Sequence, residues 1–113
     1  MSREKKYPQT PDGRYFVARG RLFRCTDPSL DDTTRRAAIK ALMQARFADR
    51  KAADAAETSK AREAIEAAKR RLGEAGPVWW RDGAPDEAGM PPEVSSYADW
   101  WSGLDRAERA KGS

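Results

Sequence analysis

The sequence predicts an α+β fold: an N-terminal antiparallel β-hairpin or three-stranded meander, an antiparallel helical hairpin, and a C-terminal aromatic segment with a short helix. Three observations carry that prediction. Residues 14–18 and 21–25 are rich in β-formers and are separated by Arg19-Gly20. Residues 31–72 contain neither Gly nor Pro and repeat apolar residues at helical spacing. Residues 76–105 hold the four tryptophans, as the pairs Trp79–Trp80 and Trp100–Trp101, among turn residues.

Along the chain, residues 1–6 are charged and expected to be disordered. Thr10-Pro11-Asp12-Gly13 is a strong turn signal, because proline presets the first central φ and glycine suits the exit. The strands follow. Ala18-Arg19-Gly20 fits a three-residue loop better than a two-residue type I′ turn, which would force Arg19 to positive φ. Tyr7–Gln9 can add a short outer strand, confined by Pro8 to an edge. Alternation puts Tyr15 and Val17 on one face of the hairpin, with Arg14, Phe16 and Ala18 on the other. Phe16 then needs its own cover, which Trp79–Trp80 can supply.

A helical region begins near Asp31 and Asp32, either of which can cap it. One helix over these 42 residues would run about 63 Å, too long for a compact domain of this size. Ala38, Ile39, Leu42, Met43, Ala45 and the aliphatic stem of Arg46 form one apolar stripe, with Phe47 to one side. Ala61, Ala64, Ile65, Ala68 and Leu72 form another. The segment between them lacks any large apolar residue, so the chain is expected to turn back near Ala55–Ser59, with Thr58 or Ser59 as the new N-cap; one continuous arm, favoured by alanine propensity, is the alternative. Gly73 or Gly76 can close the second helix in the left-handed region. Ser96 and Asp99 suggest a cap for a short helix carrying Trp100, Trp101 and Leu104. The expected division is a single small domain over residues 7–105 (hairpin 7–25, helices 31–73, aromatic wrap 76–105) and a frayed tail over 106–113.

Composition narrows the chemistry. The chain has 113 residues, 35% of them charged, one cysteine and no histidine. Without histidine there is no Ser-His-Asp or Cys-His catalysis and no histidine-ligated zinc. Gly73 and Gly76 follow a helix, which is the wrong context for a phosphate loop. Cys25 reads as a small buried strand residue. No apolar run reaches the ~20 residues of a membrane span, and Met1–Lys6 lacks the apolar stretch of a signal peptide. A cytoplasmic location is expected, with no cofactor and no membrane partner. The net charge is +4, carried by the first two thirds: residues 1–30 hold 7 Lys/Arg against 3 Asp/Glu, residues 31–75 hold 11 against 8, and residues 76–113 hold 4 against 7.

Two clusters could carry function. Arg14, Arg19, Arg21 and Arg24 interleave with aromatics, a pattern in which arginine meets phosphate while rings stack bases. The plainer reading packs the rings inward and leaves the arginines in solvent. Asp82, Asp86 and Glu87 could bind a cation or act as a carboxylate pair, but their spacing is not that of a calcium loop, and Asp82-Gly83 and Pro85-Asp86 are ordinary turn chemistry. Because the helices are short of large apolar residues, Trp79 and Trp100 are expected to be mostly buried. Trp80 or Trp101 is then left partly exposed, and with Arg81 offers a binding surface.

The segments Thr10-Pro11-Asp12-Gly13-Arg14-Tyr15-Phe16-Val17, Arg19-Gly20-Arg21-Leu22, Gly76-Pro77-Val78-Trp79-Trp80, Asp82-Gly83-Ala84-Pro85-Asp86 and Tyr97-Ala98-Asp99-Trp100 resemble a family of short uncharacterised bacterial proteins. The resemblance implies a bacterial protein and no established activity. The functional expectation is a non-enzymatic interaction protein that binds a protein partner or self-associates through its helices. The alternative is a nucleic-acid-binding module built on the arginine-rich hairpin.

Overall fold

The computed structural model describes residues 6–113, so the disorder expected at the N-terminus falls outside it except at Lys6. The architecture is α+β. Strands β1 (Tyr15–Ala18) and β2 (Arg21–Arg24) precede two long helices, α1 (Asp32–Lys51) and α2 (Ala55–Arg71). A 3-10 turn at Pro92–Val94 and two short helices, α3 (Ala98–Ser102) and α4 (Arg106–Ala110), complete it. Among the described residues, no helix is long and apolar enough to cross a membrane. The chain divides into two compact units, one made of residues up to Cys25 together with Trp80–Ser113, the other of Thr26–Trp79.

In the first unit β1 and β2 are antiparallel, with Phe16 opposite Phe23 and Ala18 opposite Arg21. That register leaves two residues in the turn, Arg19 at φ 52° and Gly20 at φ 74°. The turn is therefore of the type I′ kind, and the three-residue loop is corrected. Primed turns match the right-handed twist of the strands, and here that gain outweighs the ~1–2 kcal/mol of placing a side chain in the left-handed region.

Both edges of the ribbon are covered. Along β1, the Val17 amide donates to the Pro8 carbonyl at 2.9 Å, and Gln9 forms a single bridge with Phe16. Along β2, Leu22 donates to Met90 at 2.8 Å and accepts from Gly89 at 2.7 Å. The 82–97 segment thus supplies the protection that a two-stranded ribbon lacks, and Val78–Trp80 adds no strand. The residues expected to fray instead form α4, capped by the Asp105 carboxylate on the Glu108 amide at 2.8 Å. Beyond it the Gly112 carbonyl accepts from Gly20 at 2.7 Å. A Cβ on Gly112 would lie 2.9 Å from Val17 Cγ1, so only glycine permits this approach.

In the second unit, α1 starts at an Asp31 cap, whose carboxylate accepts from Thr34 N at 2.7 Å. It ends three residues short of α2. The turn falls at Ala52–Asp54, not within 55–59, and the cap is Asp54, not Thr58 or Ser59. Asp54 accepts from the Glu57 amide at 2.8 Å, and Glu57 reaches back to the Ala53 amide at 2.8 Å. Asp54 satisfies a donor that the helix start leaves open while Glu57 holds the residue before the cap, and the helix therefore begins earlier than a hydroxyl further along could set it. At the other end Gly73 N–H bonds Arg70 O and Glu74 N–H bonds Lys69 O, a Schellman closure with Gly73 at φ 78°.

The helices meet through Ala38, Leu42, Ala68 and Leu72, with Leu30, Ala41 and Ile65 around them. Ala45 and Ala61 are buried further along. The contact stripe is narrower than expected. Ile39, Met43 and Phe47 are left out of it, because alanine at the contact positions brings the helices together with few large side chains involved.

Candidate functional site

Two regions merit consideration, one in each unit. The first is a polar and aromatic network on the hairpin. Tyr15 is buried and packs edge-on against both Trp80 and Tyr97, with centroids 5.4 Å apart in each case. Its hydroxyl accepts from the Glu87 amide at 2.8 Å. Trp80 is 8% exposed and donates from Nε1 to the Ala84 carbonyl at 2.7 Å. It is the inward member of its pair, whereas Trp79, Trp100 and Trp101 are all half-buried. The ring buried most deeply is thus Trp80, not Trp79 or Trp100, while Trp101 is partly exposed as expected. Tyr15 provides a partner face for Trp80 and the Ala84 carbonyl an acceptor, and neither is visible as a pairing in the sequence. Phe16, for its part, is covered by Tyr7 and Phe23, each stacked at 5.6 Å.

The four hairpin arginines are engaged within this unit. Arg14 pairs with Asp82 and lies over the Trp80 ring, its guanidinium carbon 5.0 Å from the centroid. Arg24 is buried, with Nε 3.9 Å from Asp86. Arg21 donates to the Gly89 carbonyl at 2.7 Å. Arg19 lies 5.0 Å from the Phe23 centroid. Arg81 is exposed, and Trp101 rests against Trp100 with centroids 6.0 Å apart. The structure thus gathers Arg14, Arg24 and Trp80 into one network and leaves Arg19, Arg81 and Trp101 away from it.

Carboxylates complete the network. The hydrogen bond from Arg14 holds Asp82 below the usual carboxylate range, aided by the Ala84 amide. Burial pushes Asp12 upward, but the Tyr97 hydroxyl, the Thr10 hydroxyl, the Arg14 amide and the Arg14 charge together outweigh it, leaving the carboxyl lowered. Tyr97 is raised by burial and by donating to Asp12. Glu87 accepts from the Ser96 amide at 2.8 Å, so Ser96 serves the loop and does not cap α3. Asp82, Asp86 and Glu87 therefore act as structural acceptors, each with a different partner. Among the described residues no group of three potential metal ligands forms.

The second region is the outer face of α1. Ile39, Met43 and Phe47 recur every four residues and are 40%, 64% and 54% exposed. On a helix this spacing places all three within about 40° of one line, away from Ala38, Leu42 and Ala45, which face α2. Arg50 and Lys51 sit over the Phe47 ring, 5.8 and 5.2 Å from its centroid. Between the helices, Ala45, Ala48, Ala61 and Ala64 floor a shallow groove of about 430 Å³, rimmed by Lys51, Glu57 and Lys60.

Comparison with known proteins finds no matching family model, no matching curated protein and no matching solved structure. Function must be argued from the side chains. Sequence reading singled out Arg14, Arg24 and Trp80, but not Asp12, Tyr15 or Tyr97, which bind that network together. It placed Ile39 and Met43 in the core. The charge on their side of α1 was the available signal: Arg36, Lys40 and Arg50 interleave with the three apolar residues, as a core-facing stripe would not allow.

Proposed function

We propose that this chain is a non-enzymatic interaction protein of the cytoplasm and that it docks a partner on the outer face of α1. The observation that carries this reading is the exposed line of Ile39, Met43 and Phe47. Single exposed apolar residues are ordinary, whereas an aligned set marks an interaction surface. Covering the exposed halves of these side chains contributes about 1 kcal/mol apiece, a useful core for a helix-docking interface. A single cysteine, buried at position 25, suits a reducing compartment. The hairpin arginines, already engaged, lend the nucleic-acid alternative no comparable support.

A photo-crosslinking amino acid placed at position 43, in cells expressing the chain, tests the reading. One discrete adduct at position 43, absent when the crosslinker sits at exposed Ala67 of α2, is expected. No adduct at 43, or the same ladder from both positions, contradicts it.

A further inference from the structure

The charges around the α1 stripe narrow what can dock there. Within about 80° of Met43 on the helix surface lie Arg35, Arg36, Lys40, Arg46, Arg50 and Lys51. One acid shares that arc, Asp32, and it is paired with Arg35. The other acid of α1, Asp49, is turned to α2, where it lies 3.5 Å from Arg62. The face is therefore apolar along its centre and cationic on both sides.

This pattern disfavours a second copy docked by the same face. An antiparallel α1–α1′ pair centred on Met43 would set Lys40 and Arg46 each beside its own copy, Arg36 against Lys51 and Arg35 against Arg50, a like-charge contact at every flank. It also disfavours a lipid surface. Arg36 and Arg50 fall within about 20° of the apolar line, closing it at both ends after about 12 Å. An interfacial helix needs a broader uninterrupted apolar face. A finite apolar line with cations at its ends and flanks matches a helix of a few turns carrying the opposite charge.

We infer that α1 docks an acidic amphipathic helix of another protein, whose apolar side chains cover Ile39, Met43 and Phe47 while its Asp and Glu residues meet the flanking cations. The inference rests on the docking face proposed above and adds the chemistry of the partner. Charge complementarity of this kind chiefly sets encounter rate and selectivity, while the apolar line retains the complex.

The test titrates the native chain into a labelled synthetic helix with leucines on one side and glutamates flanking them, followed by fluorescence anisotropy. The same helix with lysine in place of glutamate serves as one control. Vesicles of phosphatidylglycerol and phosphatidylcholine serve as another. Binding of the glutamate helix is expected to weaken about tenfold or more between about 50 and about 300 mM salt, and by a similar factor in Met43→Asp and in Arg36→Glu/Arg50→Glu. Both variants should melt within a few degrees of the native chain, since these side chains lie outside the core. Equal binding of the lysine helix overturns the acidic partner and leaves the docking face standing. Binding to vesicles alone overturns both. Failure of the glutamate helix to bind, or undiminished binding by Arg36→Glu/Arg50→Glu, overturns the acidic partner, while the crosslink from position 43 still decides the docking face independently.

Discussion

The Tyr97 hydroxyl donates to Asp12 Oδ2 at 2.6 Å, joining residues 85 positions apart. Asp12 belongs to the turn before β1, and Tyr97 immediately precedes α3. Their bond ties the segment that covers β2 to the turn that opens the hairpin. The ring of Tyr97 continues the tie through its edge-on contact with Tyr15.

Removing this hydroxyl should be measurable. Tyr97→Phe keeps the ring and loses one bond to a carboxylate, which costs about 1 kcal/mol at a partly exposed position. The pH dependence follows from the two shifts. Asp12 is lowered from 3.8, so its contribution is complete above that value and is lost as pH falls through the folded-state pKa. Tyr97 is raised from 10.0, so its contribution is complete below that value and is lost as pH rises above it. Urea melts across pH should show Tyr97→Phe least stable relative to native at neutral pH, with the gap closing on both limbs. A gap independent of pH contradicts the pairing.

The hairpin turn offers a gain in stability. Arg19 is the one non-glycine residue at positive φ among the described residues. Asn tolerates that conformation and forms the preferred partner of glycine in a type I′ turn. Arg19→Asn should raise stability by about 0.5–1 kcal/mol, even though it removes the guanidinium from the Phe23 ring. Thermal melts check this, and a loss of stability would mean that the cation on Phe23 outweighs the strain.

The helical hairpin separates two kinds of contribution. Leu72 is 1% exposed in its core, and Leu72→Ala should cost about 3 kcal/mol. Asp54 caps α2 at the surface, and Asp54→Ala should cost about 1 kcal/mol. Denaturant melts rank them. A cap loss equal to the core loss would show that the turn at Ala52–Asp54 carries more of the pairing than Leu72 does.

The elements were legible because local chemistry specifies them. Asp31 at the helix start, Gly73 at the helix end and the β-formers on either side of Arg19-Gly20 each solve a backbone problem within a few residues. The turn geometry was misjudged because strand twist, a property of two paired strands, overrode the preference of Arg19. The helix break falls earlier than Thr58 and Ser59 suggest because a carboxylate, Asp54, caps α2 and Glu57 holds the Ala53 amide before it. The network was only half legible. Arg14 and Trp80 stand out by type, but Asp12, Tyr15 and Tyr97 acquire their roles from contacts between distant segments. The α1 face was misread because apolar periodicity alone marks an amphipathic side without saying what covers it. Interleaved Arg36, Lys40 and Arg50 distinguish the outer side from the core.

The central claim is that Ile39, Met43 and Phe47 serve a partner and not the fold. Thermal unfolding of Ile39→Gln/Met43→Gln/Phe47→Gln tests it most directly, since glutamine keeps helix propensity and removes the apolar surface. Surface replacements outside the core change stability by only about 0.5 kcal/mol each, and better propensity at positions 39 and 47 offsets part of that. A melting temperature within about 5 °C of the native chain is expected. A fall of about 15 °C or more, the signature of lost core packing, would contradict it.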